Sequence, residues 1–260
     1  MSTYSHQRIV FRLSLGLAGL LVLVLSWGLG TYVLGQRLPM AAALSPAETF
    51  VSLYELLARN ELTLHTLISL KRVLIGLALA LVIGVPVGLA VGTTRPLDAA
   101  TSSAFQFLRM ISPLSWMPIA VMVFGIGDAP IYFLLSFAAV WPIILNTAAG
   151  VRQLDRRWLM LAQSMSATRA EVLFRVVLPG VLAHILTGIR LAIGIIWILI
   201  VPCEMLGVSS GLGYFILDTR DRLAYSELMA VIMLIGALGY MLDACAQRLY
   251  RRWAPTRQDA

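Results

Sequence analysis

Long hydrophobic stretches, separated by short charged segments, make up most of this chain. Uncharged runs cover residues 13–36, 73–94, 110–127 and 129–151, and two shorter runs cover 191–203 and 228–242. About 20 apolar residues in a helix are enough to cross the hydrocarbon core of a bilayer. The pattern predicts six membrane-spanning helices, at roughly 13–35, 64–93, 105–126, 130–150, 184–206 and 226–247.

The composition supports an all-α membrane protein. Of the 260 residues, 59% are hydrophobic and 13% are charged, and the mean hydropathy is +0.85. Soluble proteins carry about 25% charged residues, so these values exclude a soluble domain, a disordered chain and a fibrous repeat. The net charge of +7 does not indicate nucleic-acid binding, because membrane proteins concentrate basic residues at their cytoplasmic ends.

The basic residues also predict the orientation. Most of the Arg residues lie in segments that share one side of the membrane with both termini. The positive-inside rule therefore predicts cytoplasmic termini and a cytoplasmic loop at 151–183.

Two short helices with a sharp break are predicted inside this loop. Asp155 can cap the first helix, which repeats apolar residues from Trp158 to Met165 at helical spacing. Thr168 and Glu171 match a capping box at the start of the second helix, and Pro179 indicates a stop or kink. An apolar patch surrounded by Arg residues suggests that the loop binds a protein partner.

Glycines repeat every four residues in the second predicted span, at Gly84, Gly88 and Gly92. This spacing allows close helix contact in lipid, either within the chain or with a second copy. We favour packing within the chain.

The loop and its flanks resemble a known family. The segment 161–179, ending in Leu178-Pro179, is similar to the EAA loop of ABC-importer permeases. The following segment 185–194 fits the same permeases, and the segments 66–76, 141–150, 204–207 and 211–218 resemble the nitrate, sulfonate, taurine and bicarbonate branch of that family. Two positions depart from the family pattern: Met160 stands where the family has Glu, and Ser166 stands where it has Gly. The sequence alone does not decide among altered ATPase pairing, a heterodimeric permease and weaker coupling.

The resemblance implies a type I ABC-importer fold, also called MetI-like, in a bacterial cytoplasmic membrane. It implies two cytoplasmic ATPase subunits, a second permease copy or homologue, an extracytoplasmic binding protein and surrounding lipid. ATP and Mg would bind the partner ATPase, because this chain has no phosphate-binding loop motif and is not expected to be an enzyme. The implied ATPase-coupling residues are Met160, Leu161, Ala162, Ser166, Ala167, Thr168, Arg169, Glu171, Phe174, Arg175, Leu178 and Pro179.

The implied cargo is a small anion or sulfonate, of the nitrate, sulfonate, taurine or bicarbonate class. Polar residues within the spans could line its path. The candidates are Ser112, Ser115, Ser136, Asn146, Thr147 and Glu204. Glu204 could instead be an interfacial carboxylate paired with a loop Arg. No cluster of Cys and His residues indicates a metal site.

Two other functions were weighed. The segment Gly207-Val-Ser-Ser-Gly211 matches the G-x-S-x-G pattern of serine hydrolases, and His65 could approach it from the outer side. A secondary carrier would need buried ionisable groups in mid-span, and the first four predicted spans show no clear acid there. The sequence divides into an N-terminal helix and loop at 1–61, a permease core at 62–250 and a cytoplasmic tail at 251–260.

Overall fold

The computed structural model describes residues 2–253, with the side chains of residues 15, 16, 18–38 and 40–253. Every regular element in this range is helical, as predicted. The helices are α1 (Ser2–Gly35), α2 (Pro39–Ala42), α3 (Pro46–Ala58), α4 (Glu61–Thr93), α5 (Arg95–Met110), α6 (Met117–Phe124), α7 (Asp128–Arg152), α8 (Arg156–Ser164), α9 (Arg169–Glu171), α10 (Leu178–Met205), α11 (Leu212–Asp221) and α12 (Tyr225–Trp253). A 3₁₀ turn at Pro113–Trp116 precedes α6, and the predicted tail lies outside the described residues from residue 254 onward.

Five helical stretches are long and apolar enough to cross a membrane: Ala18–Gly35, Glu61–Thr93, Asp128–Arg152, Arg169–Met205 and Tyr225–Trp253. A sixth is possible if α5 and the helical segment Pro113–Phe124 form one span, although they are bent by 86°. The prediction of a continuous helix at 105–126 is therefore wrong. Pro113 explains the break, because a proline drives the preceding residue out of the α conformation, and Ser112 has φ −60° and ψ 127°.

The loop at 151–183, which we call the coupling loop, leads into the fifth span, where Pro179 was predicted to stop or kink the helix. Pro179 does not stop the helix: α9, a π-helical segment at Val172–Val177 and α10 follow one another directly as one 37-residue helical stretch. Pro179 is the second residue of α10 and directly follows the π-helical segment, so the regular α-helical hydrogen-bond pattern is already interrupted where its missing N–H falls.

Small residues on α4 allow close contact with α7. A Cβ on Gly84 would lie 2.8 Å from Ile143 Cγ2, and one on Gly88 would lie 2.7 Å from Thr147 Cβ. Gly92 meets α7 in the same way. The glycine repeat therefore packs two spans of the same chain together, as we favoured.

The main hydrophobic core surrounds α7, which packs most extensively against α10. Aromatic rings connect α7 to the bent span: Trp141 lies 5.7 Å from Phe105, and Phe137 lies 5.6 Å from Trp116, between ring centroids. This core fixes the elements that carry the coupling and path candidates.

The contacts divide the chain into two compact units. One runs up to Thr63 and includes Phe215–Leu234, and the other comprises Leu64–Tyr214 and the residues from Ile235 onward. The boundary at residue 61 stays a prediction, and no pattern in the sequence groups 215–234 with the N-terminal residues. Every predicted coupling and path residue lies in the second unit.

Candidate functional site

The coupling loop contains two helices joined by a tight turn. Asp155 caps α8 by accepting a hydrogen bond from the Arg157 N–H at 2.9 Å. At its other end, the Ala167 N–H donates to the Ala162 carbonyl and the Ser166 N–H donates to the Gln163 carbonyl, both at 3.0 Å. This pair of bonds is a Schellman motif, which needs a left-handed residue.

Ser166 supplies that left-handed residue, with φ 56°. The structure therefore uses the positive φ that glycine accommodates most easily, at the position where the related family has glycine. The sharp break between the two loop helices is confirmed.

The capping box at the start of α9 is present as predicted. The Thr168 N–H donates to Glu171 Oε2 at 2.9 Å, and the Glu171 N–H donates to Thr168 Oγ1 at 3.3 Å. Because these bonds satisfy free N–H groups at the helix start, they hold the second loop helix in register with the turn.

The loop presents apolar side chains to its surroundings. Large side chains that are 52–75% exposed are Trp158, Met160, Leu161, Met165 and Phe174. On the opposite side, Leu159, Val172 and Leu173 pack against the buried Val177, Val181 and Ile185. One side of the loop is thus packed against the following helix, and the other side leaves its apolar residues exposed.

The other coupling candidates have different surroundings. Arg169, Arg175 and Pro179 are exposed, and Ala162, Ala167 and Leu178 are half-buried. The exposed Arg residues flank the apolar surface, so the combination of apolar and basic groups expected from the sequence is present on the folded loop.

A buried charged cluster lies at the opposite end of α7 and α10. Its members are Ser69 and Arg72 on α4, Asp128 at the start of α7, Glu204 near the end of α10, and Ser210; we call it the Arg72 cluster. Arg72 and Glu204 are 1% and 0% exposed, and Arg72 Nη1 lies 2.8 Å from Glu204 Oε1. Two spans therefore meet at one buried ion pair, and Asp128 at the start of α7 pairs with the same Arg72.

The guanidinium of Arg72 is fully hydrogen-bonded. Nε and Nη2 donate to Asp128 Oδ1 at 3.0 and 2.6 Å, Nη1 also donates to the Ser210 carbonyl at 2.6 Å, and Nη2 contacts Ser210 Oγ at 3.3 Å. Arginine has five N–H donors, and each has an acceptor here. In this conformation Arg72 holds protein groups together and has no donor left for an anion.

The Arg72 cluster also fixes the start of α11. The N–H groups of Gly211, Leu212 and Gly213 donate to His65 Nδ1, Ser69 Oγ and Glu204 Oε2, at 3.0, 2.8 and 2.9 Å. These N–H groups lack helical partners at a helix N-terminus, where a carboxylate is also electrostatically favoured. The turn before α11 is therefore built on polar groups of α4 and α10.

This cluster was not predicted from the sequence. Glu204 was considered as a partner of a loop Arg, but its partner Arg72 lies within α4. The available signal was the spacing of His65, Ser69 and Arg72 at i, i+4 and i+7, which places three polar residues on one helix face.

The path candidates do not form one surface in this conformation. Thr147 is fully buried beside Gly88, and Glu204 is enclosed in the Arg72 cluster. Neither side chain lies on an open surface. Thr147 packs against α4, and Glu204 accepts hydrogen bonds from Arg72 and Ser69.

The remaining four path candidates are more accessible. Ser112 and Ser115 are exposed at the break in the third span, and Ser136 is half-buried with its hydroxyl donating to the Phe133 carbonyl at 2.9 Å. Asn146 lines a cavity near the middle of α7.

The G-x-S-x-G segment forms a glycine turn. Gly207 and Gly211 have φ of 119° and 112°, values that favour glycine. His65 Nδ1 accepts a hydrogen bond from the Gly211 backbone N–H. The turn therefore positions the start of α11 beside α4.

Comparison with known proteins identifies the family. Residues 76–256 match the model of the binding-protein-dependent transport system inner membrane component. The bicarbonate transport system permease protein CmpB of Synechococcus elongatus is 38% identical over 247 residues, which cover 92% of this chain and 88% of that protein. The nitrate import permease protein NrtB of Leptolyngbya laminosa is 33% identical over 190 residues, which cover 73% of this chain and 68% of that protein.

A solved structure supports the fold. The MetNI methionine ABC transporter in an inward-facing conformation contains a chain that matches with a TM-score of 0.61 and 20% identity, over 72% of this chain and 93% of that chain. Family membership identifies a transport permease. The chain belongs to the family of inner-membrane components of binding-protein-dependent transport systems, and it is a membrane permease with the fold of type I ABC importers.

Proposed function

We propose that this permease forms the membrane path for a small oxyanion, with bicarbonate and nitrate as the first candidates, and that a separate cytoplasmic ABC ATPase drives it. The similar proteins are named for bicarbonate transport and nitrate import. Both anions are small, planar and singly charged, so one path could serve either. A sulfonate such as taurine remains the alternative cargo.

The exposed apolar surface of the coupling loop is the observation that carries the ATPase proposal. Monomeric proteins seldom leave a large apolar patch open to water, and such patches mark partner sites. In the proposed orientation both termini and the loop at 151–183 face the cytoplasm. Met160 replaces the family's Glu with another apolar group, so we expect this ATPase to offer an apolar groove at that point.

A lever mechanism follows from the continuity of the helix after the loop. The 37-residue stretch Arg169–Met205 spans about 55 Å at 1.5 Å per residue. One end carries the loop surface, and the other carries Glu204. Movement of the docked loop on ATP-driven closure would therefore reach the Arg72 cluster along one continuous helical stretch, in line with alternating access.

The complete importer would contain two copies of this chain, or this chain and a homologue, with two ATPase subunits and an extracytoplasmic binding protein. The chain itself needs no cofactor in this proposal, because ATP and Mg bind the ATPase. Lipid surrounds the spans, and no role for nucleic acid is proposed.

Docking can be tested by co-purification. The tagged chain, co-expressed with the ABC ATPase of the same importer, should recover that ATPase at a 1:1 ratio in mild detergent. The double substitution Met165→Ser and Phe174→Ser should lower recovery by about tenfold or more, because central apolar contacts dominate binding energy. Both side chains are well exposed, so the substitutions should leave the fold intact.

The matched control is Met122→Ser, which changes an 85% exposed apolar residue of α6. This variant should recover the ATPase like the unmodified chain. Equal recovery with the double variant and the control would contradict docking through the coupling loop.

A further inference from the structure

A cavity of about 380 Å³ lies beside the break in the third span. Ile111 and Pro113 at the break form part of its wall, and Trp141 and Asn146 of α7 and Ile195 of α10 form other parts. These residues of α7 and α10 are near the middle of their helices. The cavity therefore adjoins the central turns of two spans, and in several transporter folds the substrate site lies at such central positions.

Arg109, in the last turn of α5, is the one charged residue that lines this cavity. Within the described part of the chain, no carboxylate lies within 4.0 Å of its guanidinium, and its side-chain partner is Gln106 Oε1 at 3.4 Å. A smaller cavity of about 100 Å³ shares Arg109 and Leu145 with the first. The one carboxylate that lines the smaller cavity, Asp98, is paired with Arg152 at 3.0 Å. The positive charge of Arg109 is therefore not balanced by an acidic residue.

Asn146 adds a neutral donor to the cavity wall. Its amide donates one hydrogen bond to the Pro142 carbonyl at 2.8 Å, and a side-chain amide has a second N–H. Arg109 is exposed toward the cavity side of α5, and the other walls, including Leu191 and Ile195, are apolar. The combination suits a small anion better than a cation or an apolar solute.

We propose that this cavity is an intramembrane subsite for the transported oxyanion, with Arg109 as its counter-charge and Asn146 as a hydrogen-bond donor. The inference rests on the proposed function, because the cargo is taken to be a small oxyanion. A water molecule occupies about 30 Å³ in the liquid. The cavity can therefore hold bicarbonate or nitrate together with several waters, as expected for a transient site that must release its cargo.

Cysteine labelling tests the subsite without the partner proteins. Leu145→Cys places a thiol on the wall of both cavities and keeps Arg109 and Asn146 in place. Cys245 is exposed and is changed to Ser, whereas Cys203 is fully buried and is retained. The full-length chain is reconstituted in lipid nanodiscs and labelled with negatively and positively charged methanethiosulfonates, with rates normalised to a free thiol.

The expected result is faster labelling by the negative reagent, because Arg109 attracts it. Arg109→Gln should lower the ratio of negative to positive rates about fivefold, and Arg109→Lys should keep the ratio. Arg95→Gln, at the other end of α5, is the matched control and should leave it unchanged. Sodium nitrate or sodium bicarbonate should slow labelling with Arg109 present, whereas sodium gluconate at equal concentration should not.

Failure of the subsite and failure of the proposed function give different results. An unchanged rate ratio in Arg109→Gln, no protection by either oxyanion, or a thiol that neither reagent reaches would overturn the subsite. If the complete importer takes up bicarbonate or nitrate in that case, the proposed function stands without this subsite. Protection by an oxyanion with no uptake of either would support the site and contradict the proposed cargo.

Discussion

Arg72→Gln is expected to destabilise the permease more than any other single substitution considered. The change leaves Glu204, which is fully buried, without its positive partner, and it removes the donors to Asp128 and Ser210. Breaking a buried ion pair on one side costs about 3–5 kcal/mol, because the remaining charge stays in a low-dielectric site. We expect a comparable fall in the free energy of unfolding.

The measurement is thermal unfolding of the purified chain in detergent, followed by the loss of its monodisperse peak. Arg152→Gln is the matched control, since Arg152 forms an exposed ion pair with Asp98, and such pairs contribute less than about 1 kcal/mol. The double variant Arg72→Gln with Glu204→Gln should recover part of the stability, because no buried charge is left unpaired. Equal melting of the Arg72 and Arg152 variants would show that the ion pair does not hold the three spans together.

Gly88→Ala is the second substitution with a large expected effect. The added methyl group would lie 2.7 Å from Thr147 Cβ and 2.8 Å from the Ile144 carbonyl oxygen. The helices must separate to accept it, because a backbone oxygen cannot rotate away as a side chain can. Overpacking of this kind costs about 1–3 kcal/mol.

Gly194→Ala provides the comparison for that variant. Gly194 lies in α10, and a Cβ there would meet nothing within 4 Å. Alanine favours the helix by up to about 1 kcal/mol over glycine, so the control should be neutral or slightly more stable in the same thermal assay. If Gly88→Ala melts like Gly194→Ala, the close contact between α4 and α7 is not a determinant of stability.

Local patterns explain why the coupling loop could be predicted. The caps at Asp155 and Thr168 use partners two or three residues away, so the sequence around them contains the whole motif. The left-handed conformation of Ser166 also depends on nearby residues, because the hydrogen bonds of its turn run to Ala162 and Gln163. The exposure of the loop's apolar residues could also be inferred, because neighbouring Arg residues keep this part of the chain at a surface.

The Arg72 cluster could not be predicted in this way. Arg72 and Glu204 are 132 residues apart, and their meeting depends on how three spans pack. The break at Ser112 was within reach of the sequence, because Pro113 disfavours helix at the preceding residue. The uncharged run from 110 to 127 predicts a helix that continues through this proline, and the prediction is too long for that reason.

ATP-dependent uptake in a reconstituted system tests the central claim most directly. The permease, its ABC ATPase and its binding protein are incorporated in or added to proteoliposomes, and labelled bicarbonate or nitrate is followed with and without ATP. We predict uptake that requires all three components and is lost when Met165 and Phe174 are both changed to Ser, while Met122→Ser transports normally. Uptake that persists without the ATPase, or that is unchanged by the coupling-loop substitutions, would contradict transport driven by an ATPase docked on this loop.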